Sequence, residues 1–195
     1  MADPSATQGR LVIISGPSGA GKSTVVRRLL ERCTLPLALS VSATTRQPRP
    51  GEQEGIDYHF LPKDEFLRRR DADDFLEWKE VFGQGHLYGT LRNETAAGLA
   101  TGKWVVLEID VEGARMVLEQ HPEAITIFLH PGSMEELEQR LRQRGTESEE
   151  SILRRLEVAG REMSCRDRYE YEVVNDTVDR AVQEICDIFM SHTGD

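Results

Sequence analysis

The residues with the clearest chemistry are Gly16-Pro17-Ser18-Gly19-Ala20-Gly21-Lys22-Ser23, followed by Thr24. Their spacing is G-x-x-x-x-G-K-[ST]. Glycines at those positions allow a tight backbone path that turns successive N–H groups inward, and a helix starting there adds partial positive charge. In such a loop the lysine reaches the outer phosphates of a nucleotide and the serine hydroxyl can ligate Mg2+. The motif requires a strand before it and a helix after it. Arg10–Ser15 (RLVIIS) reads as a short buried strand, and Ser23–Arg32 has helical periodicity with Val25, Val26, Leu29 and Leu30 on one side. Nucleoside-triphosphate binding follows, a property that hydrolases, kinases and switches share.

A second core strand should end in an acid that holds Mg2+ or its water shell. Trp104–Ile109 (WVVLEI) offers Glu108, with Asp110 two residues on. They lie two apart, so both carboxylates should project from one face of the strand. Either could instead cap the next helix. Arg46 and Arg49 stand three apart in a loop stiffened by Pro48 and Pro50, which lowers the entropy lost when both clamp one anion. Tyr58 and Tyr88 could donate phenolic hydroxyls to the same anion, although by itself the segment reads as a solvated basic loop more often than as a site. Glu77, in Phe75–Glu80, reads by itself as an exposed helical carboxylate, and His59, Trp78 and His86 read as packing or surface groups.

The elements that would carry these residues alternate in an α/β order. Further strands are expected at Leu37–Ser42, Tyr58–Leu61, Ala124–Leu129 and Glu172–Val174. Helices are expected at Lys63–Arg70, Leu91–Ala100, Gly113–Gln120, Met134–Arg144, Glu149–Met163 and Val178–Met190. Asp73–Phe82 alternates irregularly and precedes a turn at Gly83-Gln84-Gly85, while Gly102 is a plausible helix stop.

Composition limits the partners. The 195 residues suit one domain, with 38% hydrophobic and 30% charged residues as in globular chains. A net charge of −10 disfavours nucleic acid and anionic membrane surfaces. Yet 20 of the 24 basic residues are arginine, the side chain that grips phosphate in a two-pronged way. No apolar run reaches membrane-spanning length, and Met1–Gly9 reads as a loose tail. Cys33, Cys165 and Cys186 are too scattered for a disulfide framework and suggest free thiols, packed as small hydrophobes, in a reducing compartment such as the cytoplasm.

On SGPSGAGKST (15–24), SVSATTRQPRPGE (40–52), DYHF (57–60), FLEW (75–78), YGT (88–90), EIDVEG (108–113) and RLRQRGTESEESILRRL (140–156), the chain resembles guanylate kinases, which move the γ-phosphoryl group of ATP to GMP. The resemblance runs from about residue 10 nearly to the end. It implies a three-layer α/β/α P-loop kinase core with a parallel sheet, made of residues 10–41, 100–132 and 166–195. A GMP-binding subdomain (42–99) and a helical lid (133–165) would be inserted in it. It assigns Arg46, Arg49, Tyr58 and Tyr88 to the GMP phosphate, and Ser42, Glu77, Thr90 and Asp110 to the surroundings of guanine. Guanine's N1–H and N2–H2 donors call for a carboxylate, and its O6 for a hydroxyl or cation. Residues 16–24 would hold ATP with Asn175 near the adenine, and Ser23 with Glu108 would face Mg2+. Lys22, Arg46, Arg140, Arg144 and Arg155 would meet the transferring group, the arginines from two sides of one cleft. Arg142 and Arg154 are left to the surface, paired with Glu147, Glu149, Glu150 or Glu157. Glu108 stands where relatives more often carry Asp, Glu112 where Gln is usual, and Thr90 where some have Ser. A non-catalytic module that binds phosphorylated peptides, or a P-loop kinase with another acceptor, are the alternatives; the intact Gly21, Lys22 and Ser23 argue against the first. ATP and GMP are the expected partners and Mg2+ the expected cofactor, in a cytoplasmic protein whose oligomeric state the sequence leaves open.

Overall fold

A computed structural model of the chain describes residues 9–81, 85–143 and 148–193. Its first strand, β1 (Arg10–Ser15), is buried from Leu11 onward, as a β-branched run inside a parallel sheet should be. A glycine-rich loop leads to α1 (Lys22–Arg32), which buries Val25, Val26 and Leu29. β2 (Leu37–Leu39), β3 (Ala43–Thr44), β4 (His59–Phe60), α2 (Lys63–Asp71), β5 (Phe75–Val81), β6 (His86–Leu91) and α3 (Arg92–Ala100) follow. Then come β7 (Trp104–Glu108), α4 (Val111–Leu118), β8 (Ile125–His130), α5 (Met134–Gln143), α6 (Glu149–Met163), a 3-10 turn at Arg166–Arg168, β9 (Tyr171–Val174) and α7 (Val178–Ser191). The result is a mixed α/β fold. Its central parallel sheet runs β2-β7-β1-β8-β9, and a smaller mixed sheet runs β4-β3-β6-β5.

Chain contacts divide the protein into two compact units, with the boundary inside β1 after Val12. The first also contains Leu35–Leu107 and Glu112–Ala124. There β2 pairs in parallel with β7, and the smaller sheet packs Ala43, Phe66, Phe75, Leu87 and Leu91 into one cluster. The Phe66 and Phe75 rings stack at 4.4 Å. The second unit contains Ile13–Thr34, Glu108–Val111 and the chain from Ile125 onward. In it β8 pairs in parallel with β9, and α5 and α6 share a core of Leu137, Leu141, Ile152 and Ala159.

Several expectations change. The strand expected over Leu37–Ser42 covers only Leu37–Leu39, because the chain leaves the central sheet there and enters the smaller one at Ala43, beyond the expected run. Phe75–Val81 is a strand, and its irregular alternation has a physical cause. The register against β6 slips between Phe75, opposite Leu91, and Glu77, opposite Thr90, so a bulge breaks the two-residue period. β7 stops at Glu108, so Asp110 lies beyond the strand and does not share a strand face with it. The cysteines are free, as expected, but each is partly exposed rather than packed away. Burial beside Cys33 pushes the Cys186 thiol up to about 12. Among the described residues no helix is long and apolar enough to cross a membrane. The turn residues Gly83 and Gln84, and Glu147, lie outside the described residues.

Candidate active site

In the second unit the loop after β1 needs its glycines for two different reasons. Gly16 has φ +140°, and a Cβ there would sit 2.0 Å from the Leu129 carbonyl oxygen. Gly21 has φ +90°, and a Cβ would meet the Asn175 side-chain nitrogen at 2.6 Å. The loop therefore lies hard against β8 and the end of β9, and only glycine permits the approach. Asn175 is buried and donates its side-chain N–H to the Ala20 carbonyl at 2.7 Å, while its own carbonyl accepts from Arg140 at 2.7 Å. Arg140 also donates to Glu136. Gly19, Gly21, Thr24, Arg140, Asn175 and Asp176 are among the residues lining a cavity of about 350 Å3.

Lys22 folds back on its own loop, donating from Nζ to the carbonyls of Gly16 (2.7 Å) and Pro17 (3.2 Å). Burial holds its pKa below the ordinary lysine value, while Glu108, Glu162 and Asp110 pull it upward and Arg155 pushes it down. Ser23, at the start of α1, donates from Oγ to Glu108 Oε1 at 2.5 Å. Those two oxygen-bearing side chains thus meet although they are far apart in sequence. From α6, Arg155 donates to Ser18 Oγ at 2.8 Å, and Glu162 Oε2 accepts the Ser18 backbone N–H at 3.2 Å. Asp110 belongs with this group by its effect on Lys22. It also helps raise the Tyr169 phenol, which burial pushes up to about 12.

In the first unit Arg46 is held on several sides. Its guanidinium makes a two-pronged pair with Glu52, at 2.9 Å on each arm, and Nε donates to Tyr88 Oη at 3.0 Å. The Tyr58 ring lies 5.4 Å from it, and Tyr58 meets Tyr88 edge-on at 5.8 Å. The Arg46 hydrogen bonds hold the Glu52 carboxyl below the usual carboxylate value. Arg49 is exposed, and its backbone N–H also donates to Glu52. Ser42 is half-buried, its carbonyl accepting the His59 N–H at the start of β4.

Glu77 corrects the reading of FLEWKE as an exposed helix. It is a strand residue, 6% exposed. The bulge that precedes it sets it opposite Thr90, whose hydroxyl donates to Glu77 Oε1 at 2.7 Å. Its other oxygen lies over α4, where a Cβ on Gly113 would come within 3.0 Å of Oε2. A buried carboxylate is costly to place unless hydrogen bonds satisfy it, as the Thr90 hydroxyl does here on one oxygen.

The structure therefore brings together Lys22, Ser23, Glu108, Asp110 and Arg155 around the loop, with Arg140 and Asn175 at its flank. It separately groups Arg46, Tyr58 and Tyr88, and pairs Glu77 with Thr90. Arg144 lies outside the described residues. Arg142 and Arg154 are exposed, paired with Glu138, Glu149 and Glu150, as expected of surface arginines. Glu52, Glu162 and Tyr169 were not singled out in the sequence. Glu52, six residues after Arg46, carried a local signal, whereas Glu162 and Tyr169 meet the loop's surroundings only through folding.

A strand–glycine loop–helix unit on a parallel sheet, with a lysine and a serine–carboxylate pair, defines a P-loop kinase class of fold. The guanylate kinase family model matches residues 8–192. A guanylate kinase of Rhodopirellula baltica is 63% identical over 190 residues, covering 97% of this chain and 91% of that protein. A Synechococcus guanylate kinase is 50% identical, over 93% of this chain and 82% of its own length. The crystal structure of the Anaplasma phagocytophilum guanylate kinase superposes with a TM-score of 0.77 at 34% identity, covering 95% of this chain and 87% of that one. The chain belongs to the guanylate kinase family.

Proposed function

We propose that residues 16–24 hold ATP while the Glu77–Thr90 pair and the Arg46 cluster hold GMP, for transfer of the γ-phosphoryl group that yields ADP and GDP. The transfer itself is the activity that names the family. The observation that carries the acceptor assignment is Glu77. A buried carboxylate with one oxygen on Thr90 suits the paired N1–H and N2–H2 edge of guanine, and adenine offers no such edge. Discrimination from such a site reaches about 10^4-fold, because the wrong base leaves buried groups unpaired. Ser42 and Asp110 complete the base surroundings in this reading. Arg46, with Arg49, Tyr58 and Tyr88, takes the GMP phosphate.

The chemistry needs no protein nucleophile. A GMP phosphate oxygen attacks the γ-phosphorus in line while ADP leaves. Lys22 and Arg155, with Arg140 and Arg144, neutralise the charge that spreads over the transferring group. Mg2+ fits the hard oxygens of Ser23 and Glu108, and when bound with ATP it supplies further charge neutralisation at the phosphates. In this reading residues 42–99 form the GMP-binding subdomain and 133–165 a lid that excludes water from the transfer, since ATP hydrolysis competes with it. In this reading the protein works in the cytoplasm. The test is a coupled assay of ADP formation with GMP, AMP and UMP in turn. GMP alone should support rapid turnover; equal rates with AMP would overturn the guanine assignment.

A further inference from the structure

We propose that Glu162 is a stand-in for the outermost phosphate of the donor, a specificity-determining residue that narrows the loop's preference for a triphosphate over a diphosphate. The proposal rests on the reading of residues 16–23 as the donor-phosphate loop.

The placement of three donors carries it. Arg155 and Glu162 lie two turns apart on α6, on one face of the helix, and both reach Ser18. Glu162 Oε2 accepts the Ser18 backbone N–H, and Arg155 donates to the hydroxyl oxygen of the same residue. Lys22 Nζ sits on the carbonyls of Gly16 and Pro17, the peptides just before Ser18. A backbone N–H, a guanidinium and an ammonium are the donor set of a phosphate site. Here the anion among them is the protein's own carboxylate, and its charge acts on Lys22 directly.

Lysine in such a loop reaches the β- and γ-phosphates. Because Lys22 lies beside the peptide that leads into Ser18, the Ser18 N–H belongs to the outer end of the phosphate chain. One N–H makes one strong hydrogen bond, so a γ-phosphate oxygen that takes it must displace Glu162. A γ-phosphoryl group carries more charge than one carboxylate and can do so. ADP ends at the β-phosphate and leaves Glu162 in place, facing the newly bound anion. The carboxylate thus taxes the triphosphate once on entry and returns as ADP is formed, which favours product release.

The experiment is calorimetric titration of the full chain with the β,γ-imido analogue of ATP and with ADP, each with Mg2+. Glu162→Gln keeps the shape and removes the charge. It should tighten the imido analogue about tenfold, the worth of one charge-assisted hydrogen bond, and ADP by less than about threefold, so the ratio of the two affinities rises. Glu162→Asp, with the charge drawn back by one methylene, should give an intermediate gain. Equal gains for both nucleotides, no gain, or weaker binding of the analogue would overturn the proposal, since a purely structural residue would move both alike. Lys22→Ala separates the two readings. If it binds the analogue as the wild type does, the loop assignment fails; if it loses binding while Glu162→Gln leaves the ratio unchanged, only the role of Glu162 falls.

Discussion

Two regions each hold a phosphate-seeking cation against a carboxylate of the chain, and they do so differently. Around Arg46 the carboxylate is a local brace. Glu52 is six residues away, grips both arms of the guanidinium, and leaves Tyr58 and Tyr88 stacked and bonded beside it. Around Lys22 the carboxylate comes from far along the chain and occupies a donor of the loop itself, the Ser18 N–H. A brace fixes the direction in which a cation points. An occupant competes with the ligand. Removing the first should weaken binding, and removing the second should strengthen it. Opposite signs from two isosteric Glu→Gln changes are the sharpest expression of the difference.

The largest effect is expected at the loop. Lys22→Ala should lower kcat by about 10^2- to 10^3-fold, the loss seen when one donor to a developing charge is removed, with circular dichroism unchanged. Near-normal turnover would remove Lys22 from the chemistry. Glu77→Gln comes next. By replacing an acceptor with a group that meets guanine's donors with its own, it should raise KM for GMP about 10- to 100-fold while that for ATP moves little. Equal shifts in both would argue against base recognition by Glu77.

Glu52→Gln sharpens the comparison most specifically. Arg46 loses its two-pronged hold, so KM for GMP should rise about three- to tenfold, and stability at neutral pH should fall by about 1–3 kcal/mol, since both partners are mostly buried. The pH dependence has a definite sign. The folded protein holds Glu52 below its ordinary value of 4.5, so its contribution is complete above that value and disappears as pH falls through the folded one. Melting curves of wild type and variant should therefore converge in acid; a gap that stays constant would show that the pair contributes nothing through its charge. The smallest effect belongs to Arg154→Ala, whose partner Glu150 is 84% exposed. Tm and kcat should change within error, as for most exposed ion pairs.

The sequence made some of this legible and hid the rest for identifiable reasons. The loop at 16–23 could be read because its requirements are local: glycines for the path, a strand before and a helix after. The Arg46–Arg49 segment was less legible: alone it reads as a basic loop, and the structure sets Arg46 with Tyr58 and Tyr88 while Arg49 stays exposed. Glu77 was not readable from its neighbours alone, since the bulge after Phe75 destroys the alternation that marks a strand, and burial of a carboxylate leaves no local trace. The passage from one sheet after Leu39 to the other at Ala43 was equally hidden, because both stretches favour extended backbone. Glu162 and Tyr169 lay beyond reach, because nothing in α6 or the 3-10 turn after it indicates which distant loop they will meet.

The central claim is tested most directly with γ-phosphate-labelled ATP, Mg2+ and GMP. The account predicts that the label appears in GDP in step with ADP, and that little inorganic phosphate forms when GMP is withheld. Label released as inorganic phosphate at the same rate with and without GMP would contradict it.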